Sequence, residues 1–238
     1  MAVTYSALAR LLTYPSAELQ AGALDLARFI REEKLVSETV CRALDRLAAD
    51  LAGADLYEAQ ERFTDLFDRT RSLSLNLYEH VHGESRDRGQ AMVALLELYR
   101  THGLDLAANE LPDHLPVFLE FLSVLPKDNA ASLLGEAAHV LEAMAQRLKK
   151  RASPYRAVFG ALAQLADQPA DPAALAALLA EPEENPADLE ALDKLWEETA
   201  VTFGPSDVGC PKAEEMVAAM HSAPPARRAR APAPEARS

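Results

Sequence analysis

At 238 residues the chain has room for one large domain or two small ones, and 49% hydrophobic content supplies a sizeable core. Aromatics are few and glycines number nine, while leucine and alanine dominate, a mix that favours helices and offers little to strands. A net charge of −13 argues against general nucleic-acid binding, which needs basic patches to engage phosphates.

The charge is unevenly spread. Ser222–Ser238 carries four arginines and one glutamate, net +3, which leaves 20 basic against 36 acidic residues in Met1–His221, net −16. An acidic body suits a cationic partner and speeds the encounter with it, although acidic surfaces also serve solubility alone. No stretch approaches the ~18 uninterrupted apolar residues of a membrane span. Met1–Tyr5 lacks a basic region followed by an apolar core, so no secretory signal is visible. Cys41 and Cys210 show no metal or redox spacing. A reduced, cytoplasmic setting is expected.

Ser6–Thr13 reads as a short helix ended by Tyr14-Pro15. Ser16 is expected to cap a second helix with Leu19, Leu24, Leu26, Phe29 and Ile30 as its apolar positions, and Ser37 a third carrying Val40, Cys41, Leu44, Leu47 and Leu51. Cys41 falls within that stripe and reads as a core thiol. A fourth helix follows Asp55 to about Arg69, and Ser72–Leu77 continues as helix or turn. The densest polar cluster comes next, Tyr78–Gln90, before a helix with Met92, Leu95, Leu96 and Tyr99 that ends at Gly103.

Glu110–Pro116 opens the helix on which the chain turns. Asp113 is placed to cap it, Pro112 keeps Leu111 extended, and Pro116 falls in the first turn, where a missing N–H does no harm. Leu115, Phe118, Leu119, Leu122 and Leu125 form its stripe, widened by Val117, Phe121 and Val124, so this helix belongs at the centre of a bundle. Asp128 is expected to start one helix running through Leu148, with Arg147–Arg151 complementing its C-terminal dipole. Ser153-Pro154 reads as cap and first residue of the next. After Gln168 the texture changes, and ten of the fifteen prolines lie in the last seventy residues. Asp171-Pro172 and Asn185-Pro186 still look like starts of short helices, the second with Leu189, Leu192, Leu195 and Trp196. The expected organisation is an all-α domain over 1–168, a helical appendage over 169–203, and a disordered Pro/Arg-rich tail over 204–238.

No phosphate loop, dinucleotide fingerprint or nucleophile elbow is present. A metal-dependent helical hydrolase would have to draw on His80, His82, Asp113 and His114, residue types without a fixed ligand spacing. On the residues alone, a capping Asp113 and an ordinary His114 account for that pair more simply than a site does. Arg86 and Arg88, alternating with Asp87, suit a salt-bridged network joining this segment to a neighbouring helix. Binding is better supported than catalysis. A helical, acidic body offers a groove for an amphipathic peptide, rimmed by Glu79, Glu84, Glu110 and Asp113. A scaffold for a finished partner is the other non-enzymatic reading.

Two stretches also carry a resemblance. Tyr78–Met92, YEHVHGESRDRGQAM, and Glu110–Leu122, ELPDHLPVFLEFL, resemble the NarJ family of assembly chaperones for respiratory nitrate reductase. Leu11–Pro15 and Phe63–Arg71, FTDLFDRTR, fit the same pattern, and the similarity runs from about Leu8 to Leu165, then more loosely through Glu198. The Asp113-His114 element is similar to that of the wider family of molybdoenzyme chaperones. The resemblance implies an all-α fold, no catalytic activity and no stably bound cofactor. It implies a cytoplasmic chaperone that binds the immature catalytic subunit of nitrate reductase, its N-terminal segment (a remnant of a twin-arginine signal) being one docking site. Molybdenum cofactor and an iron–sulfur cluster would enter that subunit before membrane docking, with molybdenum cofactor biosynthesis proteins as further partners. Glu110, Pro112, Asp113 and His114 match the family's central motif. His80, His82, Glu84, Arg86, Asp87 and Arg88 match its charged segment, to which the rim residue Glu79 is adjacent.

Overall fold

The computed structural model describes residues 3–82, 86–106 and 110–181, which form eleven α-helices and one 3₁₀ turn with no strand among them. They are α1 (Val3–Leu11), α2 (Ala17–Glu33), α3 (Glu38–Gly53), α4 (Leu56–Phe67), the 3₁₀ turn Arg71–Leu73, α5 (Leu77–His82), α6 (Arg86–Thr101), α7 (Leu115–Val124), α8 (Lys127–Glu136), α9 (Ala138–Lys150), α10 (Arg156–Leu165) and α11 (Pro172–Ala180). None of these helices is long and apolar enough to cross a membrane. The expected second proline-led helix, Cys210 and the tail lie outside the described residues.

The all-α expectation holds, and α7 is the central helix that its wide apolar stripe requires. Leu115, Phe118, Leu119, Phe121 and Leu122 are all buried, against α1 and α8. Around it α2 pairs with α1 and α3, and α10 with α3 and α9. Cys41 is a buried core thiol, and burial pushes its pKa up. The Ser16, Asp55 and Asp171 side chains each accept N–H groups of the helix they precede. Gly103 takes the positive φ (+76°) of a helix-terminating residue.

Several expected boundaries move. α1 begins at Val3 rather than Ser6, its first N–H groups met by the Glu33 carboxylate at 2.8 and 2.6 Å. Ser37 stands at the N-cap of α3 as expected, but its side chain makes no cap bond; its N–H donates to Gln164 Oε1 (2.7 Å) and its hydroxyl accepts from Gln164 Nε2 (3.0 Å), pinning the helix start to α10. The helix expected from Asp128 through Leu148 breaks at Ala137. There Gly135 lies so close to Asp167 that a Cβ would stand 2.5 Å from Asp167 Oδ1, and the chain turns to follow α10. Ser153-Pro154 forms a turn ahead of α10 and not its first residues. Arg147 is only 1% exposed, so it is a core residue rather than a dipole-complementing surface cation.

Candidate functional site

The site is assembled around a short backbone bridge. Residues 75–77 run antiparallel to residues 113–115: the Leu115 N–H donates to the Leu75 carbonyl (2.8 Å) and the Leu77 N–H to the Asp113 carbonyl (3.0 Å). This bridge turns Asp113 away from α7. The residue preceding α7 is His114, whose side chain makes no cap bond, so the expected Asp113 cap of α7 is not formed. Asp113 caps α5 instead. Its carbonyl takes the Leu77 N–H, and its Oδ2 takes the Tyr78 N–H at 3.1 Å, satisfying the first two donors of a helix distant in sequence.

Asp113 is 0% exposed. Burial pushes its carboxyl above the ordinary range, against the opposing pull of the Tyr78 N–H and of Arg88. Arg88 Nη2 lies 3.9 Å from Oδ2, linking α6 to the motif through one pair of the network expected of Arg86, Asp87 and Arg88. Asp113 Oδ1 and Arg88 Nε are both buried without a hydrogen-bond partner. Pro112 is buried, and its carbonyl accepts from the Tyr99 hydroxyl at 2.6 Å.

The other expected residues divide. Glu110 is exposed, and His114 is half-buried, its pKa lowered by burial against the pull of Glu110, Asp113 and Asp68. Glu79 accepts from the Ser74 hydroxyl and faces Arg71 Nε at 3.7 Å. The His80 Nε2–H donates to the Ser74 carbonyl (2.8 Å), and burial lowers the pKa of this ring. His82 stands edge-on to Tyr78, with ring centroids 5.6 Å apart. Asp87 is exposed. Glu84 and the Arg86 side chain lie outside the described residues. Each histidine thus has its own local surroundings, and among the described residues no three His, Cys, Asp or Glu side chains converge on a metal position.

Beside this cluster runs an apolar groove of about 340 Å³. Leu77, Tyr78 and Val81 of α5, Ala94, Leu95 and Leu98 of α6, and Phe118 of α7 form one part of its lining. Leu133 and Glu136 of α8, Ala137, and His139 and Val140 of α9 form the rest. Glu136 is the carboxylate in that lining, whereas Asp113 is fully buried and not part of it. Tyr78 stands out in the sequence, at the head of the polar cluster; Leu98, Glu136 and His139 do not. Val81 was the available signal, an isolated apolar residue in a charged run, and it is 51% exposed.

The profile of the family described as nitrate reductase delta subunit matches residues 33–161. The nitrate reductase molybdenum cofactor assembly chaperone NarJ of Escherichia coli (strain K12) is 43% identical over 201 residues, 84% of each chain. The probable assembly chaperone NarW of the same strain is 46% identical over 154 residues, 65% of this chain and 66% of NarW. The probable NarJ chaperone of Bacillus subtilis (strain 168) is 28% identical over 155 residues, 64% of this chain and 82% of the relative. With its profile match spanning more than half its length, the chain belongs to the nitrate reductase delta subunit family.

Proposed function

We propose that this chain is a non-enzymatic, cytoplasmic assembly chaperone for the catalytic subunit of a nitrate reductase. It captures the N-terminal segment of the immature subunit as an amphipathic peptide, so that molybdenum cofactor and iron–sulfur cluster are inserted into the client and not held by the chaperone. The observation that carries this reading is the apolar groove between α5, α6 and α8–α9, large enough for a row of side chains and flanked by Glu136. Apolar anchors supply affinity there, and a carboxylate facing a cationic peptide residue supplies orientation. The acidic chain draws such a peptide in. Glu110 and Asp87, both exposed, extend the acidic surface near the motif, whereas Pro112 and Asp113 act through the architecture. The helical body to about Gln168 carries the site.

Release follows a change in relative affinity when cofactor insertion refolds the client. Equal affinity for loaded and empty client would overturn that part. Capture itself is tested by calorimetric titration with the N-terminal peptide of a nitrate reductase catalytic subunit at low and high salt. Saturable one-to-one binding that weakens in high salt and is lost in Leu98→Glu is expected. Binding unaffected by Leu98→Glu moves the peptide off this groove, and absence of binding to the parent protein refutes peptide capture.

A further inference from the structure

We infer that Asp113 and Arg88 are positioning residues of the peptide groove: they hold α6 in place as one of its walls and do not themselves meet the peptide. This rests on the peptide-capture reading and adds a division of labour to it. With no exposed surface, Asp113 cannot be reached by a client side chain unless α5 or α6 moves. What it does touch is the groove's own frame. Its carbonyl and Oδ2 fix Leu77 and Tyr78, both of which line the groove, and Arg88 approaches the same Oδ2 from the first turn of α6.

Helix α6 needs such a tether. Among its described side chains only Leu95 and Tyr99 are core residues, and Val93 is 61% exposed. Its chief packing partner is the short α5. Tyr99 secures the C-terminal part through its hydroxyl bond to the Pro112 carbonyl and through its ring, 4.5 Å from that of Phe121. The polar contacts of Tyr99 and Arg88 thus end on neighbouring residues, Pro112 and Asp113. One is tight, at 2.6 Å, and the other loose, with Arg88 Nη2 3.9 Å from Asp113 Oδ2 while the other guanidinium and carboxylate atoms, Arg88 Nε and Asp113 Oδ1, are buried without a partner. A buried polar pair in that condition gains most from a small approach: closing it by about 1 Å makes a charge-assisted hydrogen bond. A peptide that seats α6 against α5 brings that approach about.

The test uses the full chain and the same client peptide. Asp113→Asn and Arg88→Gln are each expected to weaken binding about tenfold, the share of one charge-assisted hydrogen bond. The double variant is expected to be no weaker than either single one, and Arg88→Lys to recover part of the loss. The ratio of affinities at low and high salt stays at the parent value, because no ion pair with the peptide is removed. Spin labels at positions 93 and 128, in a Cys210→Ser background, are expected to show a broader distance distribution in either single variant than in the parent, narrowed when peptide binds. If Asp113→Asn does not fold, Arg88→Gln carries the test, since that side chain is 21% exposed. A smaller salt ratio in Asp113→Asn means direct contact with the peptide and overturns the inference, as do additive losses or unchanged label distances. Parent-like binding in both single variants, with binding lost in Leu98→Glu, sinks this inference and leaves peptide capture standing; parent-like binding in Leu98→Glu sinks the groove itself.

Discussion

A few ionisable residues, from fully buried to exposed, show how much this fold asks of single side chains. Arg147 directs its buried guanidinium at carbonyls: Nη1 donates to Ser72 O (2.8 Å) and Nη2 to Leu178 O (2.6 Å). It thereby ties α9 to the 3₁₀ turn and to α11. Arg147→Met removes both donors, and a loss of about 3 kcal/mol is expected in urea unfolding, with the midpoint lowered at similar slope. His80 and His114 are held neutral by burial, both below the ordinary imidazole pKa. As pH falls below about 6.5 the unfolded chain takes up protons that the fold refuses, so stability drops, by at most about 1.4 kcal/mol per pH unit per histidine. Asp113 and Asp68 act in the other sense. Their carboxyls lie above the ordinary range, so their contribution is full below about pH 3.9 and is lost as pH rises through the folded values. His80→Gln should flatten the fall in urea stability between pH 7 and 5; an unchanged slope would assign the effect to His114.

At the scale of elements, α6 is held by few core side chains, Leu95 and Tyr99 among those described. Tyr99→Phe leaves its core packing intact but takes the donor from the buried Pro112 carbonyl, a change of about 1–3 kcal/mol. Faster amide exchange through α6, with α7 and α1 unchanged, is the expected signature. The same contrast explains what the sequence could tell. The α7 stripe was legible because a helix apolar on most sides has only one place to go, the centre. The Asp113 cap was misassigned because the chemistry of a capping aspartate names a need for N–H donors and not the helix that supplies them. That partner, α5, is delivered by the bridge between residues 75–77 and 113–115, a tertiary event with no local signature. The break between α8 and α9 was hidden for a related reason. Ala137 is a good helix former, so nothing local marks the turn, and the close approach of Gly135 to Asp167 just before it is a tertiary contact. Leu24 and Phe29 carried the right period on α2, yet they are 57% and 40% exposed, since periodicity identifies a face without showing how far the core extends across it.

Over the whole molecule, family and fold were legible from two motifs, while the lining of the expected groove was not, because it is gathered from residues 77–140 through the packing of five helices. The charge belongs to this scale as well. At −13 the chain carries a field that acts on a cationic peptide long before any contact forms, and that field is screened over about 8 Å at physiological salt. The apolar lining acts only after contact and is indifferent to moderate salt. The two contributions therefore separate in kinetics. Raising salt from about 0.01 to 0.15 M shortens the Debye length from about 30 to 8 Å and should slow association of the client peptide severalfold while changing dissociation little. Leu98→Glu should do the opposite, raising dissociation because the anchor is lost while the added negative charge leaves the long-range attraction intact. Stopped-flow measurement of both rates checks this. A salt effect confined to dissociation would mean that the charges act at the rim, in short-range pairs such as one with Glu136, and not through the field of the acidic body.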